Sequence, residues 1–100
     1  MNKNYYRYFN KDLYLMTDNE LENHYLNTGI NENRVYNSYS FDKIYNFNLD
    51  IYINYNEDLM YNGNYLYRKH FYEYGINENR IYNYDTLIAK NTLTLIYIFI

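Results

Sequence analysis

The chain has 100 residues, no cysteine and a net charge of −3, from 9 Lys and Arg against 12 Asp and Glu. Disulfides and thiolate metal sites are therefore excluded, a composition that fits a reducing compartment. The charges are scattered, which argues against nucleic acid as a partner, because phosphate backbones are recognised by clustered Lys and Arg.

The N-terminal segment, residues 1–10 (MNKNYYRYFN), lacks the apolar region of a signal peptide. We therefore expect a soluble, intracellular protein. The chain contains 18 Tyr and no Pro, and it is rich in Asn and Ile, whose codons, like those of Tyr, are AT-rich. Part of the composition is then explained by an AT-rich genome rather than by function.

A first helix is predicted to follow Asn2, because Asn is a favourable residue at a helix start. It should end near Asn10, where Asx chemistry favours a turn. Asp12 lies just after this point and is interpreted as a residue that caps a helix start. A general-acid role for Asp12, paired with its counterpart Asp58 in the second half of the chain, is the alternative.

A second helix is predicted at residues 18–28. Residues 17–20 (TDNE) match a capping box, in which the Thr hydroxyl and the Glu carboxylate each accept from the other's backbone N–H. The apolar stripe expected of the helix follows at helical spacing as Leu21, His24, Tyr25 and Thr28. We expect Gly29 to adopt the left-handed conformation that ends many helices, with an apolar contact from Ile30.

The chain repeats itself at an offset of 46 residues. Residues 29–37 (GINENRVYN) recur as residues 75–83 (GINENRIYN), with a single Val-to-Ile exchange. Further residues match at the same offset without a gap: Tyr6 and Tyr52, Asn10 and Asn56, Asp12 and Asp58, His24 and His70. Such self-similarity indicates a tandem duplication. We divide the chain into a first repeat with its linker at 1–46, a second repeat at 47–83, and a degenerate third-repeat start with an apolar tail at 84–100.

The second copy is predicted to repeat both helices. Asn48 occupies the cap position ahead of residues 51–55, whose high β propensity makes a strand the alternative. We favour a helix, because the equivalent residues 5–9 do not alternate. The later helix, at 64–74, should be capped by Gly63 or Asn64. Its stripe and terminal glycine are Tyr67, His70, Phe71, Tyr74 and Gly75.

The linker and the tail have weaker signals. A helix in the linker is expected to begin near Ser40. The segment from Leu93 to Ile100 is uniformly apolar, but it is too short to span a bilayer, which takes roughly 20 residues as a helix. A strand, a helix packed on both repeats, and the end of a truncated chain all remain open. Exposed, this segment would favour self-association.

The repeated residues resemble a known helical repeat, in which Asp-Leu precedes a spacer and then His-Tyr-x-x-x-Gly-x-x-Glu-x-Arg. Such repeats occur beside glycosyltransferase and methyltransferase domains in bacterial and large-DNA-virus proteins. The matching residues are Asp12, Leu13, His24, Tyr25, Gly29, Glu32 and Arg34, then Asp58, Leu59, His70, Phe71, Gly75, Glu78 and Arg80. The resemblance covers residues 2–83 and implies an accessory module without catalytic chemistry of its own.

This chain departs from the family pattern at two positions in each copy. Lys11 and Glu57 replace a Pro that precedes the Asp. Asn33 and Asn79 replace a Gly that precedes the Arg. Since Asn tolerates the left-handed conformation better than other residues with a side chain, the turn is expected to survive.

The repeated polar residues admit a structural and a functional interpretation. His24 and His70 are the only histidines, and two His alone under-fill a tetrahedral metal site. We interpret them as stripe residues bonded to turn carbonyls, with no metal. The two Glu-x-Arg pairs are interpreted as ties between each turn and its own first helix, with a carboxylate–guanidinium recognition site as the alternative: Glu32 with Arg34, and Glu78 with Arg80.

The tyrosines also admit two interpretations. Clusters occur at positions 5, 6 and 8 and at positions 65, 67, 72 and 74. Their rings suit an aromatic core, and they also suit a platform on which sugars stack. We favour the core.

Together these patterns predict an all-α chain of two tandem helical-hairpin repeats that share one small core. The expected function is binding of a protein partner, without catalysis and without a cofactor. One alternative is an accessory module of a glycosyltransferase-type enzyme that binds glycan or a catalytic partner. Another is a decayed remnant of a repeat family.

Overall fold

The computed structural model describes the backbone of residues 1–99 and the side chains of residues 1–92. Within that part of the chain all regular structure is helical, which confirms the all-α prediction. The chain divides into two compact units, Met1–Tyr45 and Asn46–Ile100. Among the described residues, no helix is long and apolar enough to cross a membrane.

The first unit contains three helices and two short 3₁₀ turns. In chain order they are α1 (Lys3–Tyr8), a 3₁₀ turn (Lys11–Leu13), α2 (Asp18–Asn27), a second 3₁₀ turn (Gly29–Asn31) and α3 (Ser38–Tyr45). The predicted helix at 18–28 is confirmed by α2. The linker helix, expected near Ser40, begins two residues earlier.

The second unit follows the same order of helices but has no 3₁₀ turn between its first two. It contains α4 (Leu49–Asn54), α5 (Asn64–Glu73), a 3₁₀ turn (Gly75–Glu78) and α6 (Tyr84–Phe99). The predicted helix at 64–74 is confirmed by α5. The preference for helix over strand at residues 51–55 is also confirmed, because α4 covers all of them except Tyr55, its C-cap.

The helix starts are set by the residues that the sequence indicates. The Asn2 side-chain oxygen accepts from the backbone N–H groups of Asn4 and Tyr5, and Asn48 accepts in the same way from Ile51. The capping box of α2 forms as predicted. In α5 the N-cap is Gly63, at a φ of 115° that a residue with a side chain rarely adopts.

A second type of cap, which was not predicted from the sequence, starts α3 and α6. The Asn37 side chain accepts from the Ser40 backbone N–H over 2.9 Å, and the Ser40 hydroxyl accepts from the Asn37 N–H over 3.1 Å. Asn83 and Thr86 exchange the same two bonds, over 2.9 and 3.1 Å. Each pair satisfies backbone donors that a helix start leaves open.

The corresponding helices α3 and α6 differ in length for a local reason. Asn46 lies directly after α3 with a left-handed φ of 49°. Asn is among the few residues with a side chain that tolerate this conformation, so α3 can end there. The residue at the equivalent position in α6 is Thr92, whose branched Cβ disfavours it. The helix accordingly continues to Phe99.

Each unit has a buried aromatic interior. In the first unit Tyr6, Leu13 and Leu21 form the centre, and the rings of Phe9 and Phe41 pack 4.8 Å apart. In the second unit the Phe71 ring packs against three others, at centroid distances of 4.7 to 5.6 Å: those of Phe47, Tyr52 and Tyr82. That the two repeats share one core stays a prediction.

Candidate functional site

The repeated histidines bond to buried tyrosines. The Tyr6 hydroxyl lies 2.6 Å from Nδ1 of His24, and the Tyr52 hydroxyl lies 2.7 Å from Nδ1 of His70. Both tyrosines are fully buried. The expectation that the histidines bond to turn carbonyls is therefore wrong. Each His does lie on the face of the second helix that packs against the first helix of its unit. There its ring bonds to a tyrosine hydroxyl and not to a carbonyl.

The other ring nitrogen of each histidine faces a carboxylate. Nε2 of His24 lies 3.9 Å from a Glu32 oxygen, and Nε2 of His70 lies 3.5 Å from a Glu78 oxygen. When the tyrosine hydroxyl donates to Nδ1, the neutral imidazole carries its proton on Nε2, which then points to the carboxylate. Each histidine is thus hydrogen-bonded to a tyrosine on one side and faces a carboxylate on the other.

The repeated arginines join the carboxylates of two turns. Arg34 donates to both Asp12 oxygens over 2.8 Å, and its Nε donates to Glu32 over 3.2 Å. The second copy repeats these bonds from Arg80 to Asp58 and Glu78. Paired N–H donors facing a carboxylate form a strong, directional contact.

This contact changes the interpretation of the acidic residues. Asp12 and Asp58 were expected to cap helix starts, but the caps nearby are Asn10, Thr17 and Gly63. Each Asp instead receives the arginine, which fastens the turn after the second helix to the turn after the first. The guanidinium lowers the pKa of both aspartates, which opposes a general-acid role.

Five of the residues described above form a connected group in each unit, which we call the arginine cluster: Tyr6, Asp12, His24, Glu32 and Arg34, and Tyr52, Asp58, His70, Glu78 and Arg80.

Beneath each cluster lies a buried asparagine that was predicted to form a turn. The Asn10 amide donates to the backbone carbonyls of Tyr6, over 2.8 Å, and Val35, over 2.7 Å. Asn56 makes the same two bonds, over 2.9 and 2.7 Å. The identity of the two Asn at the 46-residue offset was the signal that could have identified this role.

The repeated glycines are needed for space, which corrects the prediction of a left-handed helix end. Neither Gly29 nor Gly75 has a positive φ. A methyl group on Gly29 would overlap the Tyr6 hydroxyl, and one on Gly75 would overlap the Tyr52 hydroxyl. Each glycine thus lets a buried tyrosine reach its histidine.

Two predictions concern residues that follow each glycine. Ile30, expected to make an apolar contact after Gly29, is 55% exposed, and its counterpart Ile76 is 47% exposed. The left-handed conformation expected before the arginine is present at Asn79, with a φ of 56°, and is not present at Asn33. The two turns therefore have the same sequence but different backbones.

The side chains of each arginine cluster contact one another. Burial raises the pKa of both Tyr6 and Tyr52, so neither hydroxyl is activated as a nucleophile. Burial also lowers the pKa of His70. Among the described residues, no group of three or more His, Asp and Glu side chains is arranged to hold a metal ion.

A cleft of about 160 Å³ lies beside the cluster of the second unit. Its lining residues are Tyr61, Leu66, Lys69, His70, Glu73 and Tyr74. The His70 ring lies between the two exposed tyrosines, with centroids 5.6 Å from Tyr61 and 5.7 Å from Tyr74. By contrast, three of the seven tyrosines considered for a sugar platform are buried: Tyr5, Tyr6 and Tyr67.

Comparison with protein-family models, with curated protein sequences and with solved structures gave no match to this chain.

Proposed function

We propose that this chain is a non-catalytic helical repeat module that binds a protein partner. The supporting observation is that three pairs of equivalent positions carry large apolar side chains that are exposed in both units. They are Tyr14 and Met60 (57% and 89% exposed), Leu15 and Tyr61 (91% and 38%), and Ile30 and Ile76 (55% and 47%). We call these six residues the repeated apolar positions.

Their chemistry points to a partner. Two of the three pairs have changed residue between the copies and yet stayed large and apolar. Single exposed apolar residues are common on any surface, but repetition at matching sites needs a further cause. Exposed apolar and aromatic side chains are the anchors that protein interfaces bury, and Met and Tyr are both enriched there.

The arginine cluster supports the proposal by its own role. Its side chains fasten the turns of each unit together, and its tyrosines have no exposed surface to offer a substrate. The residues that match the family pattern are largely those that make this cluster or its Gly. We infer that the resemblance reflects a shared scaffold, with binding left to residues outside the pattern.

The test uses the purified full chain as bait in a lysate of its native cells, and the proteins that it retains are quantified. The variant Leu15→Ser, Ile30→Ser, Met60→Ser, Ile76→Ser removes four repeated apolar positions. Tyr39→Ser is the matched control, because Tyr39 is 70% exposed and its equivalent is Asp85. We expect a partner retained by the natural chain and the control, and lost at least tenfold by the quadruple variant. Equal retention by all three would contradict the proposal.

A further inference from the structure

We propose that the cleft of the second unit binds a single pyranose ring of a neutral saccharide. This site shares Tyr61 with the repeated apolar positions but binds a different class of ligand. It rests on the walls of the cleft, its size, the charges at its edge and the absence of the same walls in the first unit.

The walls are aromatic and held in place. Tyr61 and Tyr74 are 38% and 58% exposed, so their rings are accessible from solvent. The His70 ring between them is fixed through Tyr52 on one nitrogen and faces Glu78 with the other. Tyr61 is held in addition by an edge-to-face contact with the buried Tyr67 ring, at a centroid distance of 5.3 Å. Because His70 and Tyr61 are held before a ligand arrives, the entropy cost of binding is reduced.

The size of the cleft limits its occupant. Pockets for drug-sized ligands measure roughly 300–1,000 Å³, whereas this cleft measures about 160 Å³. One six-membered ring is therefore the appropriate scale. The rest of a longer ligand would lie outside the cleft.

The charged residues at the edge of the cleft determine which kind of ring fits there. Lys69 and Glu73 lie one helical turn apart on α5 and bring one positive and one negative charge. This balance disfavours a phosphate or a cation. An apolar or aromatic side chain would displace water from the Glu73 carboxylate without replacing its hydrogen bonds, which is costly. A pyranose has an apolar C–H face for the tyrosine rings and hydroxyls at its edge that both donate and accept.

The first unit lacks these walls while keeping the scaffold. The cleft residues other than His70 correspond there to Leu15, Glu20, Asn23, Asn27 and Thr28. His24 nevertheless keeps its tyrosine and its facing glutamate. The aromatic walls are thus not required to build the arginine cluster, which leaves their rings available for a ligand.

The experiment is an NMR titration of the full chain with methyl pyranosides of glucose, galactose, mannose and N-acetylglucosamine. We expect at least one to give saturable shifts centred on the amides of Tyr61, His70 and Tyr74. Tyr74→Thr installs the residue of the first unit, where the fold tolerates it, and should weaken binding at least tenfold. Thr28→Ser, at the equivalent site of the first unit, should leave binding unchanged.

The outcomes that overturn the proposal are distinct from failure of the protein-binding proposal. No saturable shift with any pyranoside would refute the site, as would undiminished binding by a folded Tyr74→Thr chain. Preferential binding of N-acetyltyrosinamide at the same amides would identify the cleft as a pocket for an aromatic peptide side chain and refute the saccharide. If Tyr74→Thr unfolds the second unit, Tyr61→Leu, again the residue of the first unit, must weaken binding at least tenfold. Tyr74→Thr leaves all six repeated apolar positions intact, so it should not affect partner retention.

Discussion

The two units share the polar contacts of the arginine cluster and differ in the side chains placed around it. Every hydrogen bond from arginine to aspartate and between tyrosine and histidine in the first unit recurs in the second. The residues beside His24 and His70 differ, however, and only the second unit has tyrosines on both sides of the ring. The contacts present in both copies are thus those that the fold requires, and the residues that differ between the copies are those that it permits to vary.

The shared contacts are not identical in strength. His70 lies closer to its glutamate than His24 does, at 3.5 Å against 3.9 Å. Arg80 also donates to the buried Asn56 side chain over 3.2 Å. The left-handed Asn79 accompanies this tighter arrangement. We therefore expect equivalent substitutions to cost more in the second unit.

The largest expected effect is at the buried asparagines. Replacing Asn10 or Asn56 with Leu removes the donor from two backbone carbonyls. We expect a loss of about 3 kcal/mol in unfolding free energy, since each unsatisfied buried group costs roughly 1–3 kcal/mol. The loss should be greater for Asn56→Leu, which also removes the acceptor for Arg80. Urea unfolding, followed by hydrogen exchange in each unit, measures it. A loss below about 0.5 kcal/mol in both units would show that water replaces the amide easily.

The glycines should give the next largest effect. Gly75→Ala forces a methyl group against the Tyr52 hydroxyl, and we expect a loss of about 2 kcal/mol, within the range for overpacked cores. Adding Tyr52→Phe should recover part of this loss by removing the oxygen. Gly63→Ala is the control, because its cost arises from a φ of 115° with no atom near the new methyl group. If Tyr52→Phe rescued Gly63→Ala equally, the contact explanation would be wrong.

Acid should weaken the second unit through His70. Burial is the main cause that lowers the pKa of His70, and Glu78 opposes it. The folded state then binds fewer protons than the unfolded state, so this stabilisation is present above an unfolded pKa of about 6.5 and is lost as pH falls towards the folded pKa. We expect the unfolding free energy to decrease from pH 7 to pH 5. His70→Gln should reduce the decrease. A pH dependence that His70→Gln leaves unchanged would assign it to other groups.

The sequence predicted elements wherever a local signal was sufficient. The caps at Asn2, Thr17 and Asn48 and the two central helices needed only neighbouring residues. Contacts between residues that are distant in sequence could not be predicted in this way. Asn10 looks like a turn former, and only the fold shows its amide reaching Val35, 25 residues away.

The repeated glycines show the same limit in the candidate site. Duplication marked Gly29 and Gly75 as important, but the reason assigned, a left-handed backbone, was the common one for glycine. The actual reason is the hydroxyl of a tyrosine 23 residues earlier. The cleft was missed because its tyrosines, Tyr61 and Tyr74, lie 13 residues apart, and only one of them belonged to a noted cluster.

The central claim is that the tyrosine–histidine bond of each arginine cluster stabilises its unit. A double-mutant cycle tests it most directly, with Tyr52→Phe and His70→Phe in the second unit and Tyr6→Phe and His24→Phe in the first. Urea unfolding of the natural chain, the single variants and the double variant gives the coupling energy. We predict a favourable coupling of about 1 kcal/mol in both units, the typical net value of one hydrogen bond. Zero coupling in both units would contradict the claim and leave these residues available for another role.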